Sequence, residues 1–182
     1  MKRLPNIISL LRILVVPVVI WLVVADYWSA AFWVFLAAGI SDAVDGFIAK
    51  RFDAVTKVGI YLDPLADKIL LVAVFATFGA SGLMPLWLVV LVVSRDALIV
   101  GGVLFSVALS LPVTVRTSAL SKANTFAQMA LAAIVLAANG VIWPLDVVVE
   151  LMTYVVGVLT AVSGGHYVMQ WSGAAFHDSA GA

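Results

Sequence analysis

Six apolar runs, each close to the length of about 20 residues that a bilayer-spanning helix needs, follow one another along this 182-residue chain with only short connectors between them. They cover residues 5–25, 29–50, 59–79, 84–110, 121–138 and 144–171, and the fourth is interrupted by Ser94, Arg95 and Asp96. Hydrophobic residues make up 64% of the chain and charged residues only 11%. A soluble domain carries roughly a quarter charged residues, so this chain cannot cover itself with a water-facing surface. The expected fold is an all-α integral membrane protein with six transmembrane helices. Residues 1–171 form a single membrane domain, and the small, polar segment 172–182 is expected to be a disordered tail.

The charges supply an independent test of that topology. The connectors at 26–29, 79–86 and 139–144 contain no Lys or Arg, whereas Lys2, Arg3, Lys50, Arg51, Lys57, Lys68, Arg116 and Lys122 all fall on the other side. Positive residues mark the cytoplasmic side, so both termini are expected in the cytoplasm and the chain in the inner, cytoplasmic membrane. Trp28, Trp33, Trp87 and Trp143 fall near the outer span ends, where an interfacial aromatic belt forms. The first run lacks a small-residue cleavage site and is read as retained. The formal net charge of zero offers no basic patch for nucleic acid. Cysteine is absent, which excludes disulfides, iron–sulfur clusters and thiolate zinc. The two histidines, His166 and His177, both lie near the C-terminus. Acid–base and metal chemistry therefore fall mainly to carboxylates.

Asp42, Asp45, Asp63 and Asp67 sit at the facing ends of two consecutive runs. Insertion scales charge about 2.5–3.5 kcal/mol for an ionised residue within a span. Asp42, Asp45 and Ala49 follow helical i, i+3, i+7 spacing, and Asp63 and Asp67 follow i, i+4, so each set shares a helix face. The short connector after Lys50 predicts antiparallel neighbours whose aspartate faces meet near the cytoplasmic surface. Four converging carboxylates repel unless cations neutralise them, and oxygen ligands without His or Cys suit Mg²⁺ or Mn²⁺. Gly46 and Gly59 leave bare backbone beside the acids, which suits a phosphate-bearing substrate. Close helix packing by small residues is the other reading of those glycines.

The full pattern is Asp42-x2-Asp45-Gly46-x2-Ala49-Lys50-x8-Gly59-x3-Asp63-x3-Asp67. It resembles the signature of the CDP-alcohol phosphatidyltransferase family, D-x2-D-G-x2-A-R-x8-G-x3-D-x3-D, and departs from it only in carrying Lys50 for arginine. Lysine keeps the charge but not the bidentate geometry; Arg51 follows it. The resemblance implies that Asp42, Asp45, Asp63 and Asp67 hold two divalent ions, with Asp67 also acting as general base. It implies that Gly46, Ala49, Lys50 and Gly59 line the nucleotide end of a CDP-diacylglycerol site, and it suggests a homodimer.

Further stretches bear on the acceptor alcohol. LPNIISLLRI is similar to the opening of bacterial phosphatidylglycerophosphate synthases and of cardiolipin synthases that share the fold. SRDALIVGG and LSKANTFAQ look more like the eukaryotic-type cardiolipin synthases. These stretches imply that the acceptor is an anionic lipid, phosphatidylglycerol, with glycerol 3-phosphate the alternative. Arg95 lies well inside the fourth run and needs a partner there. Asp96 is rotated by about 100° on a helix and is not an obvious one, so a lipid phosphate is the expected partner, with an internal acid the alternative. Arg116 and Lys122 flank the start of the fifth run and are assigned to the same phosphate or to anchoring on anionic lipid. Asn124 and Gln128 are expected to bond between helices, and Asp146 to cap the sixth. An ion or proton transporter is the competing class, but the acids cluster at one face instead of stepping across the membrane. The H-x-K-x4-D motif of phospholipase-D-type enzymes, the P-loop and H-E-x-x-H are all absent.

Overall fold

The computed structural model describes residues 4–51, 59–108, 119–141 and 144–178, with side chains described over 14–41, 68–102, 119–141 and 144–169. The described residues form helices and turns without a strand. The helices are α1 (Leu4–Val24), α2 (Trp28–Arg51), α3 (Gly59–Ala80), α4 (Leu86–Ala108), α5 (Ala119–Gly140) and α6 (Asp146–Asp178). Each coincides closely with an apolar run. Two stretches, Ala119–Gly140 and Asp146–Met169, are long and apolar enough to cross a membrane, and Leu14–Val24, Trp28–Ser41 and Lys68–Ala80 are shorter apolar helices among the described residues.

Two tight turns reverse the chain at one end of the bundle. After α1, the Tyr27 N–H donates to Leu22 O at 2.8 Å and the Asp26 N–H to Val23 O at 3.2 Å, with Asp26 at φ 59°. After α3, the Leu83 N–H donates to Phe78 O at 2.9 Å and the Gly82 N–H to Gly79 O at 3.3 Å, with Gly82 at φ 72°. Both are Schellman motifs, which satisfy the last carbonyls of a helix and require a left-handed residue. Glycine adopts that conformation without steric conflict, and aspartate is among the few side chains that tolerate it.

α1 packs against α2 and α3, α5 against α2 and α6, and α4 against α3 and α6, while α3 also touches α5. The inward face of α3 shows how the sequence builds the core. Leu71, Val74, Phe75 and Phe78 recur at helical spacing and are all buried. They join Val19 of α1 and Leu131 of α5 in one cluster. The outward faces are apolar as well: Val147, Leu151, Tyr154, Val158 and Val162 form an exposed stripe along α6. An apolar surface around an apolar core suits hydrocarbon solvent, where helix association depends on close packing and polar contacts instead of on water exclusion.

Small residues bring the helices together. The Ser29 hydroxyl donates to the Gly140 carbonyl, so the start of α2 meets the end of α5. A Cβ on Gly140 would collide with the backbone of Trp28 and Ser29. Gly140→Ala is therefore expected to destabilise the fold by about 1–3 kcal/mol, the usual penalty of overpacking, read as a lower unfolding midpoint in detergent. Gly157 similarly admits the Trp87 ring, whose atoms lie 2.8 Å from where its Cβ would be. Trp87 also stacks on Tyr154 with centroids 6.1 Å apart. This tryptophan, expected in an interfacial belt, thus helps join α4 to α6.

Three local expectations change. α4 runs unbroken through Ser94, Arg95 and Asp96. α6 continues to Asp178, so residues 172–178 of the expected disordered tail are helical. Asp146 is not the cap of α6: the carbonyl of Leu145 accepts the Val149 N–H at 2.9 Å, which puts Asp146 inside the first turn. Its charge still favours the helix N-terminus through the dipole.

Candidate functional site

The backbone brings the acidic stretches of α2 and α3 to one end of the bundle. The Ser29–Gly140 contact makes α2 and α5 antiparallel. Equal rises of about 1.5 Å per residue along each carry Asp45 to the level of Asn124. On α3, Lys68 meets Asp96 of α4, and Arg95 beside it meets Ser121 in the first turn of α5. Asp67 therefore lies near the start of α5, with Asp63 one turn beyond it. Gly46, Ala49 and Lys50 belong to the last turns of α2, and Gly59 is the first residue of α3, so all four candidate nucleotide residues share this end. The expectation that α2 and α3 are direct neighbours is not met: among the described residues they make no contact with each other, because α1 and α5 pack between them and are the neighbours they share.

The side chains of Asp42, Asp45, Asp63 and Asp67 lie outside the described ones, as does Arg116 altogether. Among the described residues no group of three or more His, Asp or Glu residues is arranged to hold a metal ion. The fit to a divalent cation is therefore one of donor chemistry. Four carboxylates on two helix stretches at a common end supply hard oxygen ligands of the type that Mg²⁺ or Mn²⁺ takes.

Beside this end lies a buried ionic cluster. Arg95 Nη1 is 2.6 Å from Asp96 Oδ1, and Lys68 Nζ is 2.5 Å from the same oxygen. Arg95 Nη2 donates to Ser121 Oγ at 2.6 Å and to Ser163 Oγ at 2.7 Å. The Arg95 and Asp96 side chains are each 3% exposed, against 20% for Lys68. One carboxylate oxygen thus ties α3 to α4, and one guanidinium ties α4 to α5 and α6. Gly164 packs beside its stem, where a Cβ would lie in ordinary van der Waals contact, 3.4 Å from Arg95 Cγ. The partner of Arg95 is thus an internal acid, the alternative to the expected lipid phosphate, and it is Asp96, which was not the obvious one: the flexible arginine stem spans the helical offset between adjacent residues. Among the described residues, Arg95 Nε and Asp96 Oδ2 have no hydrogen-bond partner, and both are buried. Lys122, also assigned to the acceptor, is exposed in the first turn of α5.

Polar contacts continue along the α5–α6 interface. Thr160 Oγ1 donates to Asn124 Oδ1 at 2.9 Å and accepts from Gln128 Nε2 at 3.4 Å, all three residues being buried. The expected bonding of Asn124 and Gln128 between helices is therefore present. Sequence reasoning passed over Lys68, Ser121, Thr160 and Ser163 as participants. Ser163 announces itself only by the small-residue run Ser163-Gly164-Gly165, and Lys68 only by following Asp67 in the chain.

Residues 2–162 match the family model described as CDP-alcohol phosphatidyltransferase. The chain is 32% identical over 179 residues to a Schizosaccharomyces pombe protein named cardiolipin synthase (CMP-forming) / mitochondrial hydrolase fusion protein, a match covering 90% of this chain and 30% of that one. It is 34% identical over 151 residues to the Homo sapiens cardiolipin synthase (CMP-forming), covering 74% of this chain and 50% of the human one. It is also 34% identical over 173 residues to the Rickettsia typhi CDP-diacylglycerol–glycerol-3-phosphate 3-phosphatidyltransferase, covering 92% of this chain and 96% of that protein. The chain thus spans half or less of the first two relatives and nearly all of the third. A match that runs through five helices and into the sixth is one of architecture and not of an isolated motif, and the chain belongs to the CDP-alcohol phosphatidyltransferase family.

Proposed function

We propose that the protein transfers the phosphatidyl group of CDP-diacylglycerol to a hydroxyl of phosphatidylglycerol, giving cardiolipin and CMP. It does so within a six-span bundle in the inner membrane, with its termini and acidic end toward the cytoplasm. The observation that supports this reading is the common end shared by the aspartate stretches of α2 and α3, beside which the cations Lys68 and Arg95 meet at Asp96. Acid for cations and nucleotide, and positive charge for an anionic acceptor, are the two halves that phosphatidyl transfer needs.

Asp42, Asp45, Asp63 and Asp67 would hold two divalent cations. When bound, these neutralise the pyrophosphate and stabilise the charge that develops as it is cleaved. Gly46, Ala49, Lys50 and Gly59 receive the cytidine diphosphate end. Asp67 takes the proton from the acceptor hydroxyl. The freed oxygen attacks the phosphorus that bears the diacylglycerol, the bond to the CMP phosphate breaks, and CMP leaves. Arg95, paired with Asp96 and held by Ser121 and Ser163, braces the wall beside the acceptor side. Lys122 and Arg116 are the cations assigned to contact the acceptor phosphate.

A second acceptor has a specific observation behind it. The relative whose length the chain matches almost completely is named for glycerol 3-phosphate. Competition separates the two readings. With CDP-diacylglycerol and both acceptors present in detergent–lipid micelles, cardiolipin is expected to be the dominant lipid product. Phosphatidylglycerophosphate as the dominant product would overturn the acceptor assignment and leave the transfer chemistry in place.

A further inference from the structure

A buried ion pair is a poor source of stability, because an apolar replacement of similar volume often does as well or better. The Lys68–Asp96–Arg95 cluster goes further, for among the described residues Asp96 Oδ2 and Arg95 Nε are buried and unpartnered. What the arrangement does supply is connectivity. Asp96 is 2% exposed, and a single oxygen of it receives both Lys68, the residue next to Asp67 on α3, and Arg95 on α4. Through Ser121 and Ser163 the same guanidinium reaches α5 and α6. The α3 stretch that carries Asp63 and Asp67 is thereby fastened to the wall formed by α4, α5 and α6.

We infer that Asp96 is a positioning residue, whose carboxylate, shared between Lys68 and Arg95, sets the register between the aspartate-bearing end of α3 and the acceptor side of the site. This rests on the phosphatidyl-transfer reading above and deepens it. Asp96 touches neither substrate. Its effect falls on how the acceptor hydroxyl is aligned with the phosphorus it attacks, and misplacement by about 1 Å can slow such a step by about 10²-fold. Once that alignment is lost, bound CDP-diacylglycerol is still activated but water competes with the acceptor. In that side reaction the water oxygen attacks the same phosphorus, the bond to CMP breaks, and phosphatidic acid, CMP and a proton are released.

The test compares wild type, Asp96→Asn, Lys68→Gln and the double variant, supplied with CDP-diacylglycerol, phosphatidylglycerol and Mg²⁺. Total CMP and the partition of lipid product between transfer and phosphatidic acid are measured. Asp96→Asn is expected to lower kcat for transfer by at least about 10-fold and to leave the KM for CDP-diacylglycerol within about 2-fold. The phosphatidic acid share should rise, and Asp96→Glu should recover part of the loss. Lys68→Gln leaves the Arg95–Asp96 pair intact and should shift the partition in the same direction. The double variant should lose less than the two single losses combined, since residues that share a contact are non-additive. Wild-type partition in a folded Asp96→Asn protein, or additive losses, would overturn the inference. Should Asp96→Asn fail to fold, wild-type partition in Lys68→Gln overturns it equally. A wild-type protein that releases no CMP with either acceptor sinks the proposed function itself, and the positioning role with it.

Discussion

Protein stripped of tightly bound metal and held in excess EDTA is expected to release no CMP above background from CDP-diacylglycerol and acceptor, and added Mg²⁺ or Mn²⁺ is expected to restore release. This is the largest effect that the proposed chemistry demands. Two unit charges about 4 Å apart interact by about 4 kcal/mol at an effective dielectric of 20. Four carboxylates converging from α2 and α3 without cations would therefore repel one another, and a pyrophosphate would add further negative charge. In the proposed chemistry the cations would thus both permit the acidic end to assemble around substrate and stabilise charge during cleavage. Metal content measured before and after stripping completes the test. Undiminished turnover in verified metal-free protein would sink the metal mechanism.

Asp67→Asn is expected to leave a folded protein that still binds CDP-diacylglycerol but turns over at least about 10²-fold more slowly, the usual loss when a general base is removed. Asparagine keeps the shape of the side chain and one oxygen that can serve as a ligand, but it cannot take the acceptor proton. Asp42→Asn and Asp63→Asn should differ in kind. Their main symptom is a raised requirement for added metal, with partial recovery of rate at saturating metal. Titrating Mg²⁺ against rate for all three variants separates the roles. A normal maximal rate for Asp67→Asn would remove it as the base.

The helix pattern was legible in the sequence because lipid imposes a length on apolar runs, and the six runs map closely onto α1 to α6. That α2 and α3 carry their acids at one end was legible because short connectors force consecutive helices back on themselves, but that α1 and α5 bridge them without direct contact among the described residues was not. The partners of Arg95 were not. Helical angles locate a Cβ, whereas a long arginine can swing its terminal nitrogens around to Asp96 Oδ1, 2.6 Å away. Ser121 and Ser163 come from helices whose rotation about their axes no periodicity specifies when all faces are apolar. The extension of α6 to Asp178 was hidden by composition, since Gly, Ser and Ala after Trp171 read as loop when judged without the preceding helix that they continue. Arg116, assigned to the acceptor from its place beside the fifth run, lies outside the described residues.

The pairing of Arg95 with its own neighbour also bears on how the chain enters a bilayer. In the proposed six-span arrangement α4 is a span that carries two charged residues, each costing about 2.5–3.5 kcal/mol at the centre of a nascent span on insertion scales. Because the 2.6 Å contact lies within a single helix, it is available before any other helix arrives, and in that arrangement α4 would carry its own counterion into the membrane as a neutral pair. Lys68 comes from the preceding helix of the same hairpin, so α3 and α4 close the charge contact as they meet, while Ser121 and Ser163 must await later segments. The order of synthesis is then also the order in which these buried charges acquire their neighbours.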